Sequence, residues 1–158
     1  MIGDKMTNEQ MCKELKDLIQ LDIDAIRAYQ HAIDNIKDYS IKSRLTEFQQ
    51  DHRRHVTDLS PIVTRYGDQP PRDRPDVKGF LIEGMTALRS NMGTEQALKA
   101  MQSNERLTNK NYGQAVSMPW PQDVETVIQR CAADERRHLE YIDQCLQTRP
   151  WESSGAHA

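Results

Sequence analysis

Two short stretches carry residue types from which chemistry can be built. Asp134-Glu135-Arg136-Arg137-His138 sets a carboxylate and an imidazole three residues apart, so on a helix both lie on one face. Asp51-His52-Arg53-Arg54-His55 echoes it, with the same Arg pair and the same final His. A lone Glu-x-x-His arises often by chance, but this one has company in register. Asp22 corresponds to Glu105, Tyr29 to Tyr112, His52 to Glu135 and His55 to His138, every pair 83 residues apart. Ala32-Ile33 and Ala115-Val116 keep the same offset. The chain therefore reads as two equivalent halves.

Residues placed this way need long helices, and the apolar pattern supplies four. A Thr7-x-x-Gln10 capping box opens a helix over about 7–38, with Leu15, Leu18, Ile26, Ile33 and Ile36 at helical spacing and Asp22 and Tyr29 on the same stripe. Tyr39-Ser40 reads as a tight connection with Ser40 as N-cap. A second helix over 40–66 carries Leu45, Phe48, His52, His55, Leu59, Ile62 and Tyr66, alternating by three and four as a buried seam does. Pro61 lies inside that pattern, where it either kinks the helix or strands a carbonyl near position 57; Gly67 is the stop. A third helix, 94–117, carries Leu98, Met101, Glu105, Thr108, Tyr112 and Ala115. A fourth, 121–148, has Pro121 in its first turn, carries Val124, Ile128, Cys131, Glu135, His138, Ile142 and Cys145, and stops before Pro150.

Tight turns make helices one and two, and three and four, antiparallel hairpins. The crossover at 67–93 between them is long. A 26-residue helix spans roughly 39 Å, and a connector of that size can run back along it. Residues 1–150 are thus expected to form one all-α four-helix bundle domain of two antiparallel hairpins joined by a long crossover, with 151–158 a disordered tail.

Asp22, His52, His55, Glu105, Glu135 and His138 all fall on the apolar stripes, near the middle of their helices. Ionised carboxylates in a bundle core cost several kcal/mol unless paired or bound to a cation, and no Lys or Arg occupies the stripes between them. Three carboxylates and three imidazoles at one level therefore ask for a metal. Oxygen and nitrogen donors without thiolate suit iron or manganese, and zinc also fits. The bland alternatives are a hydrogen-bonded polar layer without metal, or a rotated stripe that turns His52 to water. Tyr29 and Tyr112 stand two turns beyond the first acid of each half; they either bond to the ligands or are core tyrosines with satisfied hydroxyls. Asp51 and Asp134 are read as solvated, the Arg pairs as surface ion pairs, His31 as surface and the methionines as core filler.

Composition narrows the class. High charge (28%) with few aromatics (6%) suits long amphipathic helices. The net charge of −3 and the isolated Arg pairs argue against nucleic-acid binding. Cys12, Cys131 and Cys145 are odd in number and lack a Cys-x-x-Cys, so neither a disulfide framework nor a zinc ribbon is expected. With no apolar leader or membrane-length run, a cytoplasmic protein without membrane contact is expected. The apolar crossover residues Phe80, Leu81, Ile82 and Leu88 suggest a homodimer.

The Asp22…His52-x-x-His55…Glu105…Glu135-x-x-His138 series, with its tyrosines and crossover, resembles the ferritin-like superfamily. More narrowly, Asp51-His52-Arg53-Arg54-His55, Lys78-Gly79-Phe80-Leu81 and Ala87-Leu88-Arg89-Ser90 are similar to phrases of a rubrerythrin-related bacterial four-helix-bundle family of unassigned function, over about residues 8–148. The resemblance implies Asp22 and Glu105 as terminal carboxylates, Glu135 as a bridge between two ions, and His55 and His138 each capping one. It implies a di-iron oxidase or peroxidase, with oxygen or peroxide as substrate and an external electron donor. The alternative is a non-enzymatic metal-binding or stress-associated structural protein. The departure is His52, where the superfamily has a bridging Glu. A neutral imidazole cannot bridge in that way, so a single ion, an asymmetric pair, or zinc gains ground.

Overall fold

The computed structural model describes residues 5–72 and 93–153. They form α1 (Asn8–Asp34), α2 (Tyr39–Arg65), α3 (Thr94–Val116), α4 (Gln122–Thr148) and the short α5 (Pro150–Ser153). α1 starts on the capping box. The Gln10 backbone N–H donates to the Thr7 hydroxyl at 3.0 Å, and the Thr7 N–H donates to the Gln10 side-chain oxygen at 2.8 Å.

The first turn departs from expectation. α1 stops at Asp34, and Asp38 rather than Ser40 caps α2, accepting from the Ile41 N–H at 3.0 Å. A carboxylate at that place meets the positive end of the helix dipole, which a Ser hydroxyl cannot match. α2 runs through Pro61 to Arg65, so the Thr57 carbonyl loses its helical donor. Gly67, at φ 92°, follows as the stop, in backbone space open to glycine at no steric cost. Pro121 caps α4 and stands just before its first turn.

α1 packs along α2 and α3 along α4; the hairpins then meet through α1 on α3 and α2 on α4. Two apolar cores result. One gathers Leu15, Ile19, Leu59, Val63, Val124 and Ile128 at one end of the bundle. The other gathers Ile33, Leu45, Phe48, Leu98, Met101 and Ile142. Between them lies a polar layer. Most of the crossover, and with it Phe80, Leu81, Ile82 and Leu88, lies outside the described residues. Among the described residues, no helix is long and apolar enough to cross a membrane.

The expectation of a disordered tail from 151 is corrected at its start. Arg149 adopts a left-handed turn at φ 51°, and α5 then brings Trp151 into the second core, 3% exposed. The Arg149 guanidinium covers its ring at 5.0 Å and reaches back to Glu95 on α3 at 2.8 Å. Burial of the large indole and the Arg149 contacts to Trp151 and Glu95 offset the entropy lost in ordering this short helix. Trp151→Ala is expected to cost about 3 kcal/mol, read as a lower urea midpoint at unchanged slope. Residues 154–158 lie outside the described residues.

Candidate metal centre

Helical spacing brings all six sequence-chosen residues into one buried layer, none more than 1% exposed. They divide into two groups of four, each with donor atoms close enough to hold one ion. Asp22, His52, His55 and Glu135 form one; His52, Glu105, Glu135 and His138 form the other. In the first, His52 Nδ1 stands 2.7 Å from Asp22 Oδ1 and His55 Nδ1 stands 3.0 Å from the same oxygen; both rings are 3.4 Å from Glu135 Oε1. In the second, His52 Nε2 is 3.2 Å from Glu105 Oε1, and His138 Nδ1 is 3.4 Å from Glu105 Oε1 and 3.6 Å from Glu135 Oε2. His52 and Glu135 belong to both groups. His52 thus faces the layer and not water.

The tyrosines cross between halves. Tyr112, on α3, donates to Asp22 Oδ2 on α1 at 2.5 Å, and Tyr29, on α1, donates to Glu105 on α3. Burial and then the neighbouring carboxylate push both phenols well up, so they remain hydrogen-bond donors. The reading of plain core tyrosines gives way to one in which each locks an acid of the other half.

Asp51 and Asp134 do not lie on a solvated face. Only 14% and 18% exposed, they take the outward nitrogens of the two terminal imidazoles. His138 Nε2 meets Asp51 Oδ2 at 2.8 Å, and His55 Nε2 meets Asp134 Oδ2 at 2.9 Å. Arg137 reaches both carboxylates at 2.9 Å; Arg54 pairs with Asp51 at 3.0 Å and also with Asp134. The second Arg of each pair thus makes the expected surface ion pairs, and these hold the two acids that close the layer. Sequence reasoning missed the role of these acids. The signal was present, because Asp51 and Asp134 also keep the offset of 83.

Two neighbours break the symmetry. Thr108 sits between the acids of the second half, its hydroxyl 3.0 Å from both Glu105 Oε2 and Glu135 Oε2; the matching position on α1 is Ala25. Phe48 stacks on His138 with centroids 4.3 Å apart, where the other half has Cys131. Only Thr108's place on a stripe could have flagged it, and any core Thr shares that.

Burial raises every carboxyl here, and the local partners decide the outcome. The nearby His138 and then His52 imidazoles overcome burial and hold Glu105 well below the usual range. Glu135, pushed up by burial and then by the Glu105 charge, stays above it. Burial opposes the charged imidazoles, yet His52 is raised well up by Glu135, Asp22 and Glu105. On the outside, hydrogen bonds from His138 and Arg137 outweigh burial and hold Asp51 at about 2. His138 is lifted, against burial, to about 9 by Asp51, Glu105 and Glu135.

These shifts set a pH profile for the metal-free chain. Asp51, held low, adds stability that is present above its unfolded value of about 4 and lost as pH falls toward 2. His138, held high, adds stability that is complete below about 6.5 and lost as pH rises through 9. Thermal melts of metal-free chain should therefore peak between about pH 4 and 6.5; a flat profile over pH 4–9 would contradict the pairing.

The donor set fits a metal. Glu135 Oε1 and His138 Nδ1 are buried with no hydrogen-bond partner. A layer closed on itself would satisfy both, since each orphan costs about 1–3 kcal/mol. Both atoms lie within the groups of four, where an ion would take their lone pairs.

Four long helices in two hairpins around buried carboxylates and imidazoles define a ferritin-like fold. It is similar to that of a ferritin-like, diiron-carboxylate protein from Bacillus anthracis str. Ames, with a TM-score of 0.68, 18% identity, and coverage of 92% of this chain and 99% of that one. The chain belongs to the family described as a domain of unknown function, DUF2383, whose pattern matches residues 10–118. That match takes in Asp22, His52, His55 and Glu105 and stops before Glu135 and His138. Among curated proteins there is no match.

Proposed function

We propose that Asp22, His52, His55, Glu105, Glu135 and His138 hold one or two metal ions, and that the protein is a rubrerythrin-related metalloprotein reacting with oxygen or peroxide. What carries this reading is the sharing of His52 and Glu135 between two buried donor groups, an arrangement suited to a pair of ions. Iron is the ion favoured: the donors are oxygen and nitrogen only, and the structural neighbour is titled a diiron-carboxylate protein. Manganese is the closest substitute. Bound iron would supply the electrons that reduce an O–O bond.

The chain's own residues would do the remainder. Asp51 and Asp134 hold the outer imidazoles by Nε2 and leave Nδ1 free for an ion. Tyr29 and Tyr112 set one oxidisable phenol against each terminal acid. The Arg54–Asp134 and Arg137–Asp51 pairs join α2 to α4 on the outer side of the layer. Three separate buried cysteines cannot form a four-cysteine iron module, so turnover would draw on an external electron donor. Free thiols of this kind also suit the reducing cytoplasm.

A second reading keeps the metal, with zinc as the candidate, as a non-enzymatic staple between the hairpins. It is favoured by each donor group drawing residues from both hairpins, so that an ion in either group would join them.

Anaerobic purification, metal counting, and then exposure to oxygen or peroxide under an absorbance spectrometer separate the two. Two irons per chain with a near-ultraviolet response supports the redox reading. Stoichiometric zinc without a response leaves the staple. No tightly bound metal, with stability unmoved by chelator, returns the cluster to a polar hydrogen-bonded layer. Asp134→Asn is expected to weaken metal affinity by about 10–100-fold through a misdirected His55, as measured by chelator competition. Unchanged affinity would remove Asp134 from the site.

A further inference from the structure

We propose that His52 bridges two metal ions through both ring nitrogens, Nδ1 toward the Asp22–His55 group and Nε2 toward the Glu105–His138 group, so that it replaces a bridging carboxylate.

The geometry sets His52 apart from the other two histidines. His55 and His138 each commit Nε2 to an acid outside the donor groups, Asp134 and Asp51, and offer only Nδ1 inward. His52 commits neither nitrogen outside. Its Nδ1 lies 2.7 Å from Asp22 Oδ1 and its Nε2 lies 3.2 Å from Glu105 Oε1, and those acids belong to different groups. The ring is also held in place. Tyr29, His138 and His55 surround it with centroids at 5.3, 5.1 and 5.5 Å, which opposes a flip that would turn one nitrogen away.

Charge points the same way. Two divalent ions against the three carboxylates Asp22, Glu105 and Glu135 leave one uncompensated positive charge in a dry layer, a costly state. A ring that has lost its last N–H supplies the missing negative charge. The balance is simple. One ion takes the lone pair of the unprotonated nitrogen, the other replaces the N–H proton, and that proton leaves to solvent. Glu135, whose Oε1 faces the first group and Oε2 the second, provides a parallel carboxylate bridge.

The inference rests on the metal-binding reading above, and the test separates the two. The full chain, labelled with nitrogen-15 in its histidines, is loaded with Zn²⁺, which is diamagnetic, and zinc per chain is counted. The expected spectrum contains one imidazole with no N–H and two metal-bound nitrogens. That signal is lost in His52→Asn, and the zinc count falls below two. If His52→Asn does not fold by circular dichroism, through-bond assignment of the wild-type ring to residue 52 takes its place. Two zinc ions with an N–H on every imidazole would overturn the bridge and leave the metal site standing. One zinc per chain in the wild type would overturn it as well. No zinc or iron bound at all would overturn the bridge together with the reading it rests on.

Discussion

Stripping metal from the full chain is expected to lower its thermal midpoint by roughly 8–16 °C. An ion present at about a thousand times its dissociation constant stabilises the folded state by about 4 kcal/mol, and a chain of this size shifts about 2–4 °C per kcal/mol. The source is local. Without an ion, Glu135 Oε1 and His138 Nδ1 stay buried and unpartnered. Glu135 then stands against Glu105 in a layer that burial already penalises. The fold itself should survive removal, because His52 and His55 retain Asp22, and His138 retains Asp51. Scanning calorimetry with and without chelator, followed by back-titration with Fe²⁺, checks this. The pH trend should also reverse. Loaded protein gains stability as pH rises through about 6–8, because protons compete with the ion for imidazole nitrogens. Metal-free protein loses stability from about pH 6.5 upward, because the unfolded His138 imidazole sheds its proton there while the folded one keeps it up to about 9. A shift under about 2 °C on chelation would mean that the layer closes on its own hydrogen bonds.

The second large effect is expected at Glu135. Glu135→Gln should remove both ions, with affinity down by well over about 100-fold, more than loss of an outer hydrogen bond causes. Glu135 supplies an oxygen to each group, Oε1 to one and Oε2 to the other. Asp22→Asn and Glu105→Gln touch one group each, so each should lower metal per chain by one. The metal-free Glu135→Gln chain should be as stable as wild type, or more so. The change removes a charge that burial and Glu105 both oppose, and an amide oxygen still accepts from Thr108. Metal counts on the three variants, alongside urea midpoints without metal, give the comparison. Equal loss in all three would argue for a single ion held by the whole layer.

Much of the fold could be read from residue order, and for physical reasons. Helical spacing of Leu15, Leu18, Ile33, Leu45, Leu59, Ile128 and Ile142 needs only the 3.6-residue period. The Thr7–Gln10 box needs only contacts within one turn. The offset of 83 matches Asp22 with Glu105, and His55 with His138, as equivalent positions of two halves without any knowledge of packing. Local competition was harder to judge. Asp38 and Ser40 are both good caps, and the winner depended on where α1 ended. Trp151 looked like part of a polar tail because its apolar partners are far away in the chain, on other helices.

The roles of Asp51, Asp134, Arg54 and Arg137 belong to the same class of problem. Along the chain each sits beside a ligand candidate on a helix face that could equally point to water. Only the approach of α2 to α4 turns Asp51 toward His138 and Asp134 toward His55, each bond crossing from one half to the other. The crossed tyrosines depend on α1 meeting α3 in the same way. Residue types and intervals alone thus determined the four helices, the twofold repeat and the six polar residues of the buried layer, because periodicity is a property of a single helix. The pairing of those donors into two groups, the outer acids that aim the imidazoles, and the placing of both His52 nitrogens inside required the packed bundle. Distances between side chains on different helices are set by how the helices cross, and no interval along the chain encodes that.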